Sequence, residues 1–385
     1  MARTYLDHAA TTPMVAEAIE TMTRELTRTG NASSLHGSGR DARRVVEESR
    51  ELIAARVGAR PAEIIFTSGG TEADNLAIKG TFWSARRSDS HRRGLVSSAI
   101  EHHAVLDSLV WLESEGADVT LVPVDPTGRV NLAVLAEAIS AKSALVTVMW
   151  ANNEVGTVQP LSEVVALAAE HGVPVHSDAV QAVGHVPVDF AASGLALLSF
   201  TAHKLGGPYG IGALLARRDT ALTATQHGGG QERDVRSGTL DVAAVAGFAA
   251  AVEVAAKRLA TEEDRVRRLR AELIRAVQAA VPHCALNGPL DDQVLPGVAN
   301  LTFAGCDADA VLMLLDAAGI DCSTGSACSA GVSQPSHVLM AMGRTGREVR
   351  SSLRFSLGHT STAADVAALV TALPEAVRRA KAAFT

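Results

Sequence analysis

One lysine and one aspartate lie directly after apolar runs of the kind that form buried strands. Lys204 follows the run 196–198, and Asp178 follows the run 172–176. An amine that forms a Schiff base and a carboxylate that pairs with a ring nitrogen are the two groups that pyridoxal phosphate (PLP) requires of a protein. Ligands of parallel α/β sheets bind beyond the carboxyl ends of the strands, so we expect both side chains to face one site.

A glycine turn between a strand pattern and a helix pattern predicts an anion site. Gly69 and Gly70 follow the apolar run 64–67, and Thr71 supplies a hydroxyl in the first turn of the next helix. Free backbone N–H groups at such a helix start bind phosphate, although an ordinary capped helix has the same local pattern. The sequence lacks the nucleotide-binding patterns G-x-G-x-x-G and G-x-x-x-x-G-K-[ST]. Taken together with Lys204 and Asp178, the glycine turn therefore predicts a site for the phosphate of a cofactor.

Further polar side chains are candidates for contacts to the ring. Asn153 and Gln181 can donate hydrogen bonds to its oxygen, and His102 can stack on the ring and carry protons. His103 is an equal candidate on local grounds, and a solvent-facing histidine at a helix start is the alternative. The residues that flank the lysine and can reach the phosphate are Thr201 and His203.

Apolar runs alternate with helical patterns between about residues 60 and 215, which is typical of a parallel sheet covered on both faces. We predict an α/β fold, with a mostly parallel sheet flanked by helices in a large domain of residues 15–255. A smaller α+β domain comprises residues 1–14 and 256–385. The predicted strands are 64–67, 95–99, 119–122, 145–150, 173–176, 195–200, 211–216, 298–303 and 353–355. The predicted helices include 71–83, 104–115, 162–170, 241–280 and 307–318.

Composition limits the class of protein. The chain has 385 residues, of which 47% are hydrophobic, so it can bury a large core. A net charge of −7 argues against bulk electrostatic binding to nucleic acid. The N-terminus has no apolar signal region, and the most apolar stretch, 242–252, is too short to span a membrane. Four cysteines in a chain this long do not indicate a disulfide framework, so we expect a cytoplasmic protein.

Motifs spread over nearly the whole chain resemble those of the cysteine desulfurases, in the PLP-dependent class V aminotransferase family. Two small departures are Ala32, where the family often has proline, and Thr201-Ala202, where serine-glycine is more usual. The matching segments are 5–13, 30–36, 66–80, 101–102, 152–156, 178–181, 203–204, 228–232, 236–239, 325–328 and 351–358.

The resemblance implies a PLP-dependent transferase of fold type I that works as a homodimer with shared active sites. It implies that Lys204 forms the Schiff base, that Asp178 pairs with the pyridine nitrogen and that Arg354 binds the substrate carboxylate, with Asn153 also in contact with the substrate. A planar guanidinium suits that task because it can donate two parallel hydrogen bonds. The residues implied to hold the cofactor are Gly70, Thr71, His102, Asn153, Gln181, Thr201 and His203, with Thr239 from the other subunit.

Cys328 lies in a stretch of small and polar residues, 323–335, that has little to bury. We expect this stretch to be mobile and its cysteine exposed, although an incidental loop cysteine has the same local pattern. In the family this residue is the nucleophile, in the subgroup whose long loop delivers sulfur to partner proteins. Cys322 is interpreted as a core residue, and the four cysteines do not have metal-ligand spacing.

The resemblance therefore implies conversion of L-cysteine to L-alanine, with the sulfur kept on Cys328 as a persulfide. An acceptor protein in iron–sulfur cluster assembly, tRNA thiolation or DNA sulfur modification would then receive the sulfur. The alternatives are a selenocysteine lyase, another class V aminotransferase or a non-catalytic scaffold. Cys328 argues against an aminotransferase, and Lys204 with Asp178 argues against a scaffold.

Overall fold

The computed structural model describes residues 3–325 and 334–382. Short 3-10 turns lie at Pro61–Glu63 and Ala202–Lys204. The strands are β1 (Thr4–Tyr5), β2 (Ile64–Thr67), β3 (Gly94–Ser98), β4 (Asp118–Val122), β5 (Ser143–Thr147), β6 (Val175–Asp178), β7 (Leu197–Thr201), β8 (Gly212–Ala216), β9 (Cys284–Asn287), β10 (Val298–Phe303), β11 (Ile320–Asp321) and β12 (Ser352–Ser356). The helices are α1 (Ala16–Leu26), α2 (Gly37–Arg56), α3 (Gly70–Ser88), α4 (His103–Ser114), α5 (Leu132–Ala138), α6 (Leu161–Ala169), α7 (Phe190–Ser193), α8 (Val242–Ala280), α9 (Ala308–Ala317), α10 (His337–Ala341), α11 (Gly346–Val349) and α12 (Ala363–Ala382).

In the part of the chain that is described, seven strands form one sheet in the order β2-β8-β7-β6-β5-β3-β4. The pairs from β7 to β4 run parallel, and β8 runs antiparallel to both β7 and β2. Strands β5, β6, β7 and β8 are buried along their whole length, as expected where helices cover both faces of a sheet. The predicted α/β fold with a mostly parallel sheet is confirmed.

The reversal at β8 has a simple cause in chain length. The segment between Thr201 and Gly212 is too short for a helical crossover, which needs about a dozen residues or more. The chain therefore turns back beside β7 instead of crossing a face of the sheet. The 3-10 turn that contains Lys204 directly follows β7, and it fixes the lysine at the carboxyl edge of the sheet.

A second, antiparallel sheet has the order β12-β10-β9 and packs over its own hydrophobic core. That core contains Leu301 and Phe355 from the sheet and Leu6 from the N-terminal segment. Strand β1 pairs with β11, which ties the beginning of the chain to the C-terminal region. The segment also contacts the other core, because Ala9 packs beside the large sheet. The domain boundaries, with residues 1–14 and 256–385 in the smaller domain, remain a prediction.

Helix α8 connects the two cores. Phe248 and Val252 near its start pack in the core beside the large sheet, whereas Val266 and Leu273 pack in the second core. The N-terminal part of the helix is apolar and almost entirely buried. The later part is more charged, and only a few of its residues, such as Val266 and Leu273, face the second core. Within residues 3–325 and 334–382, no helix combines the length and the hydropathy needed to cross a bilayer.

Candidate active site at the carboxyl edge of the sheet

A cavity of about 340 Å³ lies where β5, β6 and β7 end. Its volume is in the range of small-molecule sites. Side chains from the N-terminal segment, the large sheet and β12 converge on it, so the tertiary fold joins parts of the chain that are distant in sequence. The predicted site residues that line this cavity are Gly70, Thr71, His102, Asn153, Asp178, Gln181, Thr201, His203, Lys204 and Arg354.

Two predicted site residues are not among those lining the cavity. Thr239 is exposed and lies outside it. Cys328 lies outside the described residues, although Gly325, the residue that precedes that gap, lines the cavity. The roles predicted for both residues remain predictions.

The Lys204 side chain reaches across the cavity to the N-terminal segment. Its Nζ donates to the carbonyl oxygens of Ala9 and Ala10, at 2.6 and 2.7 Å. Burial, together with the positive charge of Arg354, lowers the pKa of Lys204 to about 8. The neutral amine, the form that can react with an aldehyde or accept a proton, is therefore far more populated near neutral pH than in an ordinary lysine, although the protonated form still predominates at pH 7.

Asp178 is the last residue of β6 and is 5% exposed. Its Oδ1 accepts a hydrogen bond from the backbone N–H of Val180, at 2.9 Å. Burial raises the pKa of Asp178, whereas the nearby His102 and Lys204 lower it. The carboxyl group therefore faces cationic or protonatable neighbours on the side of the cavity.

Helix α3 begins with a glycine pair that brings its N-terminus to the cavity. Gly69 has φ 152° and ψ −177°, a conformation that is almost restricted to glycine. A Cβ at Gly70 would lie 2.8 Å from Cγ2 of Val180, so the close packing there excludes a side chain. Glu72 in the same turn is paired with Arg236 at 2.8 Å, which compensates a charge that would otherwise repel an anion.

His102 precedes helix α4 and caps it. Its Nδ1 accepts from the backbone N–H of Ala104 at 3.1 Å, so in the neutral ring the proton lies on Nε2. Burial lowers the pKa of His102, opposed by the charge of Asp178. The capping hydrogen bond uses Nδ1 and holds the ring in one orientation at the cavity wall, so Nε2 takes no part in the cap.

Arg354 lies in the middle of β12 and is 4% exposed. Its Nη2 lies 2.8 Å from Oδ1 of Asp7, and its Nη1 donates to the carbonyl oxygen of Asn153 at 2.9 Å. The Nε has no hydrogen-bond partner among the described residues. A guanidinium fixed by two partners, with a buried donor left free, is prepared to bind an anionic group.

Gln181 and the residues around the lysine are also held by hydrogen bonds. Gln181 donates from Nε2 to the carbonyl oxygen of Ala9 at 2.9 Å. The Thr201 hydroxyl donates to the carbonyl oxygen of Ile211 at 3.0 Å. The ring of His203 stacks on that of Tyr209 with centroids 5.8 Å apart.

Sequence reasoning did not assign a role to four polar residues of the cavity wall: Asp74, Glu154, Ser323 and His337. Asp74 lies on the buried face of α3 among alanine and leucine residues, and this polar break in an apolar stripe was an available signal. His337 begins α10, and its Nε2 lies 2.9 Å from the carbonyl oxygen of Glu101. Its ring packs edge-on against His103, with centroids 5.0 Å apart. Its place in the site depends on tertiary packing alone.

The residues of the cavity fit PLP. Lys204 offers a partly buried amine that is bonded only to carbonyl oxygens among the contacts described. Asp178 offers a buried carboxyl group, and the Gly70 turn offers a helix N-terminus where a Cβ would clash. These are the three groups that bind the aldehyde, the ring nitrogen and the phosphate of such a cofactor.

The model of the aminotransferase class-V family matches residues 4–369, and the chain belongs to this family. An IscS-like cysteine desulfurase of Mycobacterium tuberculosis (strain ATCC 25618 / H37Rv) is 57% identical over 98% of this chain and 97% of its own length. A cysteine desulfurase IscS of Dictyoglomus turgidum is 42% identical, over 94% of this chain and 91% of its own. Within the family, the chain is a cysteine desulfurase.

Solved structures agree with this assignment. A NifS-like protein superposes with a TM-score of 0.91 at 33% identity, covering 98% of this chain and all of its own. SspA, solved in complex with cysteine, superposes with a TM-score of 0.80 at 33% identity, over 92% of this chain and 99% of its own. The predicted family and enzyme class are confirmed.

Proposed function

We propose that this chain converts L-cysteine to L-alanine and keeps the sulfur on Cys328 as a persulfide, for delivery to an acceptor protein. The observation that carries the proposal is the convergence of the Lys204 amine, the Asp178 carboxyl and the Arg354 guanidinium on one cavity. The structure of the related SspA with cysteine supports the choice of substrate.

The cavity residues would hold PLP by groups already in place. Lys204 would bind its aldehyde, Asp178 would face its ring nitrogen, and the helix start at Gly70 and Thr71 would face its phosphate, with Thr201 and His203 close by. Asn153 and Gln181 would lie near its ring oxygen, and His102 against its face. When bound, PLP withdraws electrons from the α-carbon of an attached amino acid and so weakens the bonds around that carbon.

Lys204 and Arg354 would have different roles toward the substrate. Arg354 binds the carboxylate of cysteine through the N–H groups that Asp7 and Asn153 leave free, which orients the α-carbon. Once the amine of cysteine has taken its place at the aldehyde, the Lys204 amine, with its pKa lowered to about 8 mainly by burial, would be free to accept a proton from that carbon. Two different groups thus position the substrate and move its proton.

Cys328 would take the sulfur. Its thiolate forms a bond to the sulfur of the substrate, the carbon–sulfur bond breaks, and the carbon fragment leaves as alanine after it gains protons. Cysteine and one enzyme thiol give alanine and one enzyme persulfide, so no other oxidant is needed. Gly325, three residues before Cys328, lines the cavity, which supports access of the thiol to the substrate.

We also propose a homodimer with shared sites. Thr239 is exposed and outside the cavity of its own chain, as expected of a residue that serves the cavity of a partner. The sulfur acceptor would belong to iron–sulfur cluster assembly, tRNA thiolation or DNA sulfur modification. Sedimentation or light scattering of the purified chain measures the dimer directly.

The purified chain, supplied with PLP and L-cysteine, tests the reaction. With a thiol reductant present, alanine and sulfide should appear in equal amounts over many turnovers. Without reductant, alanine should stop at about one equivalent per subunit, with one persulfide per subunit detected by mass spectrometry. Absence of alanine, or alanine without persulfide, would contradict the proposal.

A further inference from the structure

Asp74 is a buried carboxyl group in the wall of the cavity that has no role in the steps above. It lies on helix α3 and is 1% exposed. Its Oδ1 has no hydrogen-bond partner among the described residues. Burial of an ionised carboxylate without a partner is costly, so this group needs either a cation or a proton.

The basic side chain beside Asp74 is His176, whose Nε2 lies 3.6 Å from Oδ1. His176 is fully buried, and its two ring nitrogens lie 2.9 Å from the hydroxyls of Thr147 and Ser199. Burial lowers the pKa of His176 to about 3. A neutral imidazole between two hydroxyls does not supply the positive charge that an ionised Asp74 would need.

The other charged groups around Asp74 are acidic. Burial, with the charges of Asp178 and Glu101, raises the pKa of Asp74 well above its ordinary value, and the Ser199 hydroxyl opposes this only in part. Glu101 is itself fully buried, and its Oε1 accepts from the backbone N–H of Met149 at 2.9 Å. Burial, with the charge of Asp178, also raises the pKa of Glu101 well above its usual value, so Asp178 is the main source of negative charge acting on Asp74. Among the described residues, none of the groups that act on Asp74 electrostatically is a cation.

Asp178 differs because cationic groups face it from the cavity. His102 and Lys204 both lower the pKa of Asp178, although burial raises it. When two buried carboxyl groups repel each other, one ionises and the other keeps its proton. The surroundings decide which one, and they favour ionisation of Asp178.

We propose that Asp74 is a positioning residue for Asp178: it carries the proton of this buried carboxyl pair, so that Asp178 alone presents a negative charge to the cavity. The role toward the cofactor rests on the proposed PLP site, but the protonation is a property of the chain itself. Asp74 thus acts through Asp178 and limits the charge of this carboxyl pair to one negative unit.

Thermal unfolding of the full-length protein and of Asp74→Asn, measured from pH 4 to pH 9, tests the protonation. A carboxyl group whose folded pKa is raised contributes stability that is lost as pH rises from its unfolded pKa, about 4. The asparagine variant has no such loss, so its melting temperature should match that of the parent at pH 4 and exceed it increasingly toward neutral pH. If Asp74 instead forms an ion pair with His176, the variant will be the less stable protein at neutral pH, and the proposal fails.

A double-mutant cycle with Asp178→Asn isolates the coupling of the two carboxyl groups. Without the charge of Asp178, Asp74 ionises more readily, so the gain from Asp74→Asn near neutral pH should shrink in that background. An unchanged gain would overturn the pairing. If Asp74→Asn does not fold, Asp74→Leu is also neutral and serves in the same comparison.

Cofactor content, read by absorbance after gel filtration, decides which carboxyl group carries the charge. Asp74→Asn should retain PLP at the level of the parent, whereas Asp178→Asn should lose at least tenfold in affinity. Loss of PLP from both variants alike would contradict the assignment. A parent protein that binds no PLP would contradict the proposed function, while the unfolding experiments would still decide the state of Asp74.

Discussion

Arg354, which lines the cavity, forms a partly buried ion pair with Asp7, with Nη2 of Arg354 2.8 Å from Oδ1 of Asp7. The pair joins the N-terminal segment to strand β12, at opposite ends of the chain. Because Nη1 also donates to the carbonyl of Asn153, the guanidinium is fixed in position while its Nε remains free. The N-terminal segment therefore takes part in positioning the proposed substrate-binding group.

Replacement of Asp7 by asparagine should raise the KM for L-cysteine about tenfold, with a smaller change in kcat. The variant loses a charge-assisted hydrogen bond that positions Arg354, and tenfold corresponds to about 1.4 kcal/mol. Steady-state kinetics of alanine formation measure both constants. Arg3→Ala is the matched control, because Arg3 lies in the same segment but pairs with Asp316 and Asp321 at the surface. Equal KM values for the two variants would show that Asp7 does not position Arg354.

Attachment of PLP to the protein freed of cofactor should become faster as pH rises through about 8. Only the neutral amine of Lys204 reacts with an aldehyde, and burial, with Arg354, lowers the pKa of Lys204 to about 8. Stopped-flow absorbance measures the rate, and Lys204→Ala should abolish the signal. Arg354→Gln should move the midpoint to higher pH, whereas Arg354→Lys keeps the charge and should leave it near 8. A midpoint that is the same in both variants would exclude Arg354 as a cause.

A methyl group at position 70 should disturb the proposed phosphate site. The Cβ of Gly70→Ala would lie 2.8 Å from Cγ2 of Val180, and overpacking of this kind costs about 1–3 kcal/mol. We expect the affinity for PLP to fall at least tenfold, as measured by equilibrium titration. Gly346→Ala is the control, since a Cβ there meets no atom within 4 Å. A normal affinity in Gly70→Ala would place the phosphate elsewhere.

The segment before Thr239 is anchored by Arg50 and Glu232. Arg50 donates to both carboxylate oxygens of Glu232, at 2.7 and 2.8 Å, and Glu232 also accepts from the backbone N–H of Phe66. Both side chains are buried, so Glu232→Gln removes the buried carboxylate partner of Arg50 and leaves it only the exposed Glu47, at 3.2 Å.

We expect Glu232→Gln to lower the free energy of unfolding by about 3 kcal/mol, as measured by urea denaturation. Glu48→Gln removes an exposed partner of Arg44 on the same helix as Arg50 and should have little effect. A loss as small as that of the Glu48 variant would mean that the buried pair does not anchor this segment.

Cys328 and Cys322 should differ sharply in reactivity. Burial, with the charge of Asp7, raises the pKa of Cys322 to about 12, so its thiol stays protonated at neutral pH. Iodoacetamide at pH 7.5 should modify Cys328 first, as read by peptide mass spectrometry. Cys328→Ala should retain PLP and lose sulfur transfer, whereas Cys322→Ala should keep both. Sulfur transfer that survives in Cys328→Ala would assign the nucleophile to another residue.

The sequence by itself determined most of the strands, though not β1, β9 or β11, together with the glycine turn and the order of the reactive residues. These features are local, because a buried strand is an apolar run and a helix start needs particular backbone conformations at residues such as Gly69. The apolar runs that precede Asp178 and Lys204 therefore predict, from local pattern alone, that both residues lie at the carboxyl edge of the sheet.

Only the tertiary structure decided which distant groups meet. Nothing local links Arg354 to Asp7, or the Lys204 amine to the carbonyls of Ala9 and Ala10, because these contacts depend on how the two hydrophobic cores pack. The same holds for Asp74, which looks like an ordinary polar residue of a helix. Its unusual surroundings arise from the burial of α3 against β6 and β7, since a shift in pKa depends on the charges and solvent nearby in space, not along the chain.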